Sequence, residues 1–414
     1  MKPSFAVRAA TIAVLILSAA VSRSWAQNVY HPIPIGFDFP ADPAALLKLR
    51  DDGNVSGMRK HAWMLFAGLT QPTETGEAIW ETWYTATQTF RSGAELQGEH
   101  RLVRKFQNPR QFMSPGPHPQ AIGASLLSFT LFNADVRKHV RTNNYNSRAH
   151  LTELNNAFGP SIPSADRHIA DFPNSAVSLK TVWWIVKKSG LTATPVWDPE
   201  LNPQIANGND YPTWKRVVAV DPSRDEIPAG ETATVNLLGR SFAGSSVVPL
   251  AHFYHFQISQ SEIDSVHASP APNAQDAEIG DYAVLVLLHC TTKEIPQWVW
   301  ATFWWHDKPD AGAFAADRPA AVTGPWRNYL MNTTYSMDQP KEPDGSPPIC
   351  FNPWLEARFR NGVKSNCMAC HQKAVWPTDG NFTPITRGSL QPADPIFVNK
   401  MKLDFLWSVA FEGQ

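Results

Sequence analysis

Two kinds of hydrophobic pattern divide this chain. From Ala176 onward, runs of β-branched and aromatic residues lie between Pro and Gly turns, the pattern of strands. Ala176–Lys187 (AVSLKTVWWIVK), Trp214–Val220 (WKRVVAV) and Ala233–Leu238 predict three of them. Tyr282–Thr292 (YAVLVLLHCTT) and Trp298–His306 (WVWATFWWH) are apolar at successive positions. Both of their faces are therefore expected to be buried, as in central strands. Lys293–Gln297 between them has the length of a hairpin loop. That loop pairs 292 with 298, sets 289 opposite 301 and 306 opposite 284, and leaves His289 and His306 about 17 Å apart along the ladder.

The first half is more mixed. Gln27–Gly53 is Pro-rich and reads as irregular. Gly57–Leu69 (GMRKHAWMLFAGL) predicts a short helix with Trp63, Phe66 and Ala67 on one side. Ile79–Phe90 (IWETWYTATQTF) is rich in β-branched and aromatic residues and predicts a strand. Asn133–Phe158 predicts a helix, with Val136, Val140, Leu151 and Leu154 at helical spacing. Near the other end, Asp338–Pro348 (DQPKEPDGSPP) reads as a linker. Beyond it Asn352 can cap a helix, Pro353 suits its first position, and Asn361-Gly362 can end it. Val398–Val409 predicts a closing helix or strand. The expected fold class is α+β: a β-rich antiparallel-sheet domain over 27–345 and a small, mainly helical segment over 346–414.

Composition narrows the setting. Apolar residues make up 43% of 414 positions, enough for a substantial core, and the net charge is −1. A nearly neutral chain argues against nucleic acid or an anionic membrane surface as partner. Met1–Ala26 has a basic start (Lys2, Arg8), an apolar stretch (Ala9–Val21) and small residues at Ser24 and Ala26, the pattern of a secretory signal peptide cleaved before Gln27, with an uncleaved membrane anchor as the alternative. No other stretch is long and apolar enough to cross a bilayer, so no membrane span is expected after cleavage. The expected location is periplasmic or secreted.

One short motif then dictates chemistry. Cys367-Met368-Ala369-Cys370-His371 is the c-type haem attachment pattern. Each thiol adds to one haem vinyl as a thioether, and the next residue stands over the haem face as an axial ligand. A thioredoxin-type redox pair opens a βαβ unit, and no βαβ pattern follows Cys370. A structural zinc site takes a fourth ligand, usually from a second close pair, and the sequence has none. Cys367, Cys370 and His371 are thus the candidate cofactor site for one covalent haem c, with His371 as the metal ligand. The sixth position stays open among Met401, Met331, Met337, His289, His306 or no ligand. Each of these residues also fits a core-packing role. The ring nitrogen of His371 that does not bind iron should donate to a backbone carbonyl. Of the four cysteines, Cys290 and Cys350 remain, and in an oxidising compartment they form one disulfide or stay as unrelated thiols.

Through Cys367, Cys370 and His371 the C-terminal segment resembles c-type cytochromes. In small members of that family the carbonyl facing the proximal histidine lies near a proline after the motif, which points to Pro377 or Pro384. The chain also resembles a group of secreted bacterial single-haem proteins with a long β-rich N-terminal part. PQWVWATF (Pro296–Phe303), FNPWLEARF (Phe351–Phe359), SNCMACH (Ser365–His371) and DFLWS (Asp404–Ser408) carry that likeness. It implies haem attachment and architecture and names no substrate. Gln372 departs from the glycine that often follows the motif. The expected function is electron transfer with a redox partner protein. The alternatives are a haem oxidoreductase of oxidase or peroxidase type and a haem-based ligand sensor. No nucleophile elbow, P-loop or dinucleotide fingerprint competes with these.

Overall fold

The computed structural model describes residues 30–91, 104–107, 126–159, 161–202, 210–378 and 388–414. The expected signal peptide over 1–26 lies outside the described residues. Strands β1 (Tyr84–Thr85), β2 (Leu127–Phe132) and β3 (Val177–Val186) come first. Four more, β4 (Thr192–Pro195), β5 (Val217–Asp221), β6 (Thr232–Leu237) and β7 (Arg240–Pro249), make a second sheet. The chain then returns through β8 (His255–Gln257), β9 (Tyr282–Thr292), β10 (Val299–Trp305) and β11 (Tyr329–Thr334). The main sheet runs β1-β2-β3-β9-β10-β11, with β8 paired to β9, and every pairing in it is antiparallel. Antiparallel sheets thus dominate the part before residue 345, within a mixed α+β fold.

Helices α1 (Pro43–Asp51) and α2 (Val55–Leu69) precede the sheets. The first falls in the stretch expected to be irregular, where Asp42 caps it and Pro43 opens it. The second matches its expected range and lies on one face of the main sheet. Phe66 of α2 stacks on Phe303 at 4.1 Å between ring centroids, with Trp63 at 5.4 Å. The other face of the sheet meets the second sheet and then the C-terminal segment. Trp304 lies against Trp197, and Trp184 against Trp354. Burial on both faces explains why β3, β9 and β10 read as unbroken apolar runs.

Three expectations change. Ile79–Phe90 is no strand: it forms a 3₁₀ turn, the two residues of β1, and helix α3 (Ala86–Phe90). Thr85 and Gln88 build a capping box there, and this local hydrogen bonding overrides the β-rich composition. The expected helix Asn133–Phe158 breaks into α4 (Ala134–Thr142) and α5 (Arg148–Ala157). Asn144 turns left-handed at φ 55°, and Ser147 caps the second piece. The third change is register. Thr292 pairs with Val299, so the hairpin loop is one residue longer and takes in Trp298, whose φ is 63°. Trp298 leaves the ladder to bury its ring against Phe172. A one-residue slip exchanges the faces of a strand. His289 therefore stands opposite Thr302, not Ala301, and shares its face with Trp300.

Helix α6 (Gln260–His267) is followed, beyond β11, by a C-terminal part of short elements. These are α7 (Pro353–Glu356), α8 (Met368–His371), β12 (Val375–Trp376), β13 (Met401–Lys402) and α9 (Trp407–Glu412). The helices are one or two turns long, so turns carry more of this region than the expected helices do. Its core is shared with earlier residues: Met368, Met401, Leu403, Trp407 and Phe411 pack in one cluster with Phe90, Phe132, Val136, Val140 and Leu151. Arg148 N donates to Gln414 O at 2.7 Å, and Gln414 N to Asn146 O at 2.9 Å.

The start of β9 offers a test remote from the Cys367–His371 motif. The buried Asp281 carboxylate accepts from Lys187 Nζ, Lys188 N and Glu278 N, each at 2.9 Å. Burial pushes its pKa up, but these donors outweigh burial and hold it below the usual carboxylate value. A depressed native pKa stabilises above the unfolded value and is lost as pH falls through the native one. Asp281→Asn is expected to lower stability by about 1–3 kcal/mol at neutral pH. Urea unfolding from pH 7 to pH 3 should show the gap to wild type closing at the acid end.

Candidate functional site

The Cys367–His371 motif is held by its neighbours before any cofactor is considered. Asn366, directly ahead of Cys367, is buried and fully used. Its Nδ2 donates to Pro348 O at 3.0 Å and to Thr334 Oγ1 and Ser336 O at 3.2 Å, while its Oδ1 accepts from Met368 N at 3.0 Å. One side chain thus ties the main sheet to the first turn of α8. Cys367 N donates to Cys350 O at 2.9 Å, and Cys350 N to Ser365 O at 3.0 Å. Upstream, a Cβ at Gly362 would stand 1.6 Å from Glu356 O, so only glycine passes under the end of α7.

His371 closes α8. Its Nδ1 lies 2.9 Å from Phe405 O. A carbonyl only accepts, so Nδ1 carries the proton and Nε2 keeps its lone pair. Burial, then the Lys180 charge, pushes the His371 pKa down to about 3, which keeps the ring neutral. The Trp300 ring packs 4.4 Å from it. The carbonyl therefore does not come from the region of Pro377, which is exposed beyond β12, and Pro384 lies outside the described residues.

Phe405 is a backbone outlier. Asp404 and Phe405 have φ of 47° and 65° in succession. Asp tolerates the left-handed region, whereas a bulky Phe does not do so readily. Such strain persists only where surroundings over-determine it. Here the Asp404 carboxylate accepts from Lys293 Nζ at 2.5 Å, Phe172 N at 3.0 Å and Trp298 Nε1 at 3.3 Å. Leu403 N donates to Ala374 O at 2.9 Å, and Trp407 Nε1 to Cys370 O at 3.1 Å. The DFLW stretch is thus a clamp on the motif. The same turn borders a cleft of about 320 Å³ between the hairpin loop and residues after the motif, lined by Lys293, Gln297, Gln372, Lys402 and Phe405 among others.

Above the motif the main sheet presents a polar row: Thr130, Lys180, His289, Thr302 and Asn332 pair side by side across β2, β3, β9, β10 and β11. All five are buried. Thr302 is held by Asn352 Nδ2 at 2.7 Å. Among the described residues His289 makes no hydrogen bond from its ring, and its Nδ1 is buried without a partner. Burial holds the His289 pKa well below its ordinary value, helped by Lys180 and His371. Lys180 is pushed down to about 8 by burial, with Glu356 opposing. Glu356 is raised to about 7 by burial, against the Asn352 N–H and Lys180. Burial raises Cys370 to about 12, and the contact with Cys350, then burial, raises Cys367.

The sixth-ligand candidates separate. Met331 pairs with Phe303 and shares its face, the α2 side, opposite His289. His306 lies past the far end of β10, accepting from Lys308 N at 2.9 Å beside Asp307. Neither is brought to the motif. Met337 and Met401 are buried in the cluster that holds Cys367, and His289 meets Trp300, which meets His371. The Cys290–Cys350 bridge is not formed. Cys290 is a buried thiol within the main sheet, opposite Ala301 and Leu179, and Cys350 lies instead with its Sγ 3.7 Å from Cys367 Sγ.

Sequence reasoning missed Asn366, Asp404 and Lys180. The first two stand in the SNCMACH and DFLWS stretches, a signal that could have found them. Lys180 is a cation in the middle of the apolar run AVSLKTVWWIVK. Among the described residues no group of three or more His, Cys, Asp or Glu side chains is placed to hold a bare metal ion, and no helix is long and apolar enough to cross a membrane. No protein-family model matches the chain, and no curated protein or solved structure is significantly similar to it.

The side chains present suit a haem. A neutral His371 leaves Nε2 unprotonated next to the cysteine pair, an apolar cluster surrounds the motif, and a buried imidazole without hydrogen bonds, His289, stands on the sheet above.

Proposed function

We propose that this chain is a periplasmic monohaem c-type cytochrome that transfers electrons to or from a redox partner protein. The carrying observation is the His371 Nδ1–Phe405 O hydrogen bond, which orients a neutral imidazole directly after Cys367 and Cys370. A haem bound there supplies one-electron exchange between ferric and ferrous iron. Cys367 and Cys370 tether it, and His371 offers Nε2 as the proximal ligand. Asp404, through the strained turn, fixes the Phe405 carbonyl and with it the ring orientation. His289, Met401 and Met337 are the groups that could close the sixth position. The signal-peptide pattern of residues 1–26 supports export, and haem attachment of this kind takes place on the far side of the bacterial inner membrane.

A second reading has its own observation. Lys180, His289 and Glu356 are ionisable groups on the motif side with shifted pKa values, the equipment of a haem oxidoreductase or ligand sensor. The absorption spectrum of the reduced protein with and without carbon monoxide separates the two. A carrier keeps both axial positions filled and its spectrum is unchanged by the gas. His289→Ala or Met401→Ala then makes it responsive if that residue is the ligand. Rapid binding to the wild type, with turnover of peroxide, favours the second reading.

A further inference from the structure

We propose that Cys350 is the disulfide partner of Cys367 in the haem-free chain, so that one of the two attachment thiols is first held by a third cysteine.

The two sulfurs stand 3.7 Å apart, in direct contact. The backbone already holds both residues in register: Cys350 and Asn366 form a parallel bridge, Cys350 N donates to Ser365 O, and Cys367 N donates back to Cys350 O. Cys367 Sγ also lies 3.3 Å from Cys350 O. Both side chains are buried, at 0% and 4% exposure, so their approach is built into the packing and not a surface accident. A bond between them needs the sulfurs to close to about 2.05 Å, within reach of small side-chain rotations when the main chains are fixed neighbours. Cys370 belongs to a different environment, one helical turn on and partly exposed, with its carbonyl bound by Trp407.

The chemistry balances with a disulfide-carrying exchange protein as oxidant. A thiolate of the pair attacks the mixed disulfide formed on the other cysteine, the Cys350–Cys367 bond forms, and the exchange protein leaves as a dithiol holding the two electrons and two protons. Opening the bridge runs the reverse, with an incoming dithiol reductant oxidised to its disulfide. Only the reopened Cys367 thiol can add to a vinyl group, so haem attachment waits on a reductant. In the finished protein Cys350 remains a buried thiol against the Cys367 thioether. This last state rests on the haem reading; the bridge in the haem-free chain does not.

The test uses the full exported chain made in a bacterial host that cannot attach haem. Thiols are alkylated under denaturing conditions, the chain is digested without reduction, and the peptides are mapped by mass spectrometry. The Cys350 and Cys367 peptides are expected joined, with Cys290 and Cys370 alkylated. In Cys350→Ala, Cys367 should lose that partner. Alkylated Cys350 in the wild type, or Cys367 joined to Cys370, overturns the proposal. A parallel preparation from a host that attaches haem keeps the two claims apart. A mapped bridge with no haem ever attached sinks the haem reading and leaves the bridge standing. Attached haem with no bridge in the haem-free chain does the opposite.

Discussion

Exported protein carrying both Cys367→Ser and Cys370→Ser is expected to lose all haem that survives denaturation. Each thioether fixes one vinyl edge, and serine oxygen makes no such bond under the same conditions. The single variants should keep one link and retain stainable haem at lower yield. His371→Ala leaves both thiols and removes the axial nitrogen, so any haem that attaches should show a high-spin or solvent-ligated spectrum. The structure places Cys367, Cys370 and His371 in and just before α8, with Asn366 pinning the turn to Thr334 and Ser336. The fold itself should therefore survive the cysteine changes. Stainable haem remaining at wild-type level in the double variant would show that the attachment lies elsewhere.

The second large effect belongs to Asp404. Its carboxylate and Lys293 are both buried, with side-chain exposures of 5% and 6%, and lie 2.5 Å apart. Burial raises the Asp404 pKa, and Lys293 and the Phe172 N–H restrain it. Asp404→Asn keeps a side chain that tolerates the left-handed turn and strands the buried ammonium of Lys293. Removing one partner of a buried pair costs about 3–5 kcal/mol. The double variant Lys293→Met with Asp404→Asn removes the stranded charge and should recover part of that loss. Urea unfolding of the wild type, Asp404→Asn, Lys293→Met and the double variant measures the cycle. A raised native carboxyl pKa means the wild type loses stability as pH rises from the ordinary carboxylate value through the raised one. Asp404→Asn should lack that fall. The substitution also loosens the turn that carries Phe405 O, so the spectrum of a haem bound at His371 should shift. A cost below about 1 kcal/mol with an unchanged spectrum would show that Asp404 does not hold the turn.

Much of this was legible in the chain, for stated reasons. Apolar runs buried on both faces gave β3, β9 and β10 because no alternative places so many adjacent large apolar side chains. Asn352-Pro353 marked the start of α7 through capping chemistry, although the helix stops at Glu356. The cysteine spacing with its histidine marked the candidate site. What escaped were features fixed by distant contacts. Trp298 shifted the hairpin by one residue because burying its ring outweighed a left-handed backbone, and no local pattern signals that trade. Phe405 replaced Pro377 and Pro384 as source of the carbonyl because Asp404 is held by Lys293 and Phe172, far away in sequence. Cys350 met Cys367 rather than Cys290 because the chain doubles back after α7 and pairs with itself at Ser365–Cys367. The polar row of Lys180, His289 and Thr302 became visible only once the register of β3, β9 and β10 was known.

We propose one haem covalently attached at Cys367 and Cys370 and ligated by His371. Intact mass of the exported protein, purified from a host that attaches haem and denatured, tests it most directly, with a tryptic map of the same sample. The expected mass is higher by one haem, carried by the peptide that contains Cys367–His371, with Cys290 unmodified. A mass equal to the polypeptide alone, with Cys367 and Cys370 recovered as unmodified thiols or a disulfide, would contradict it.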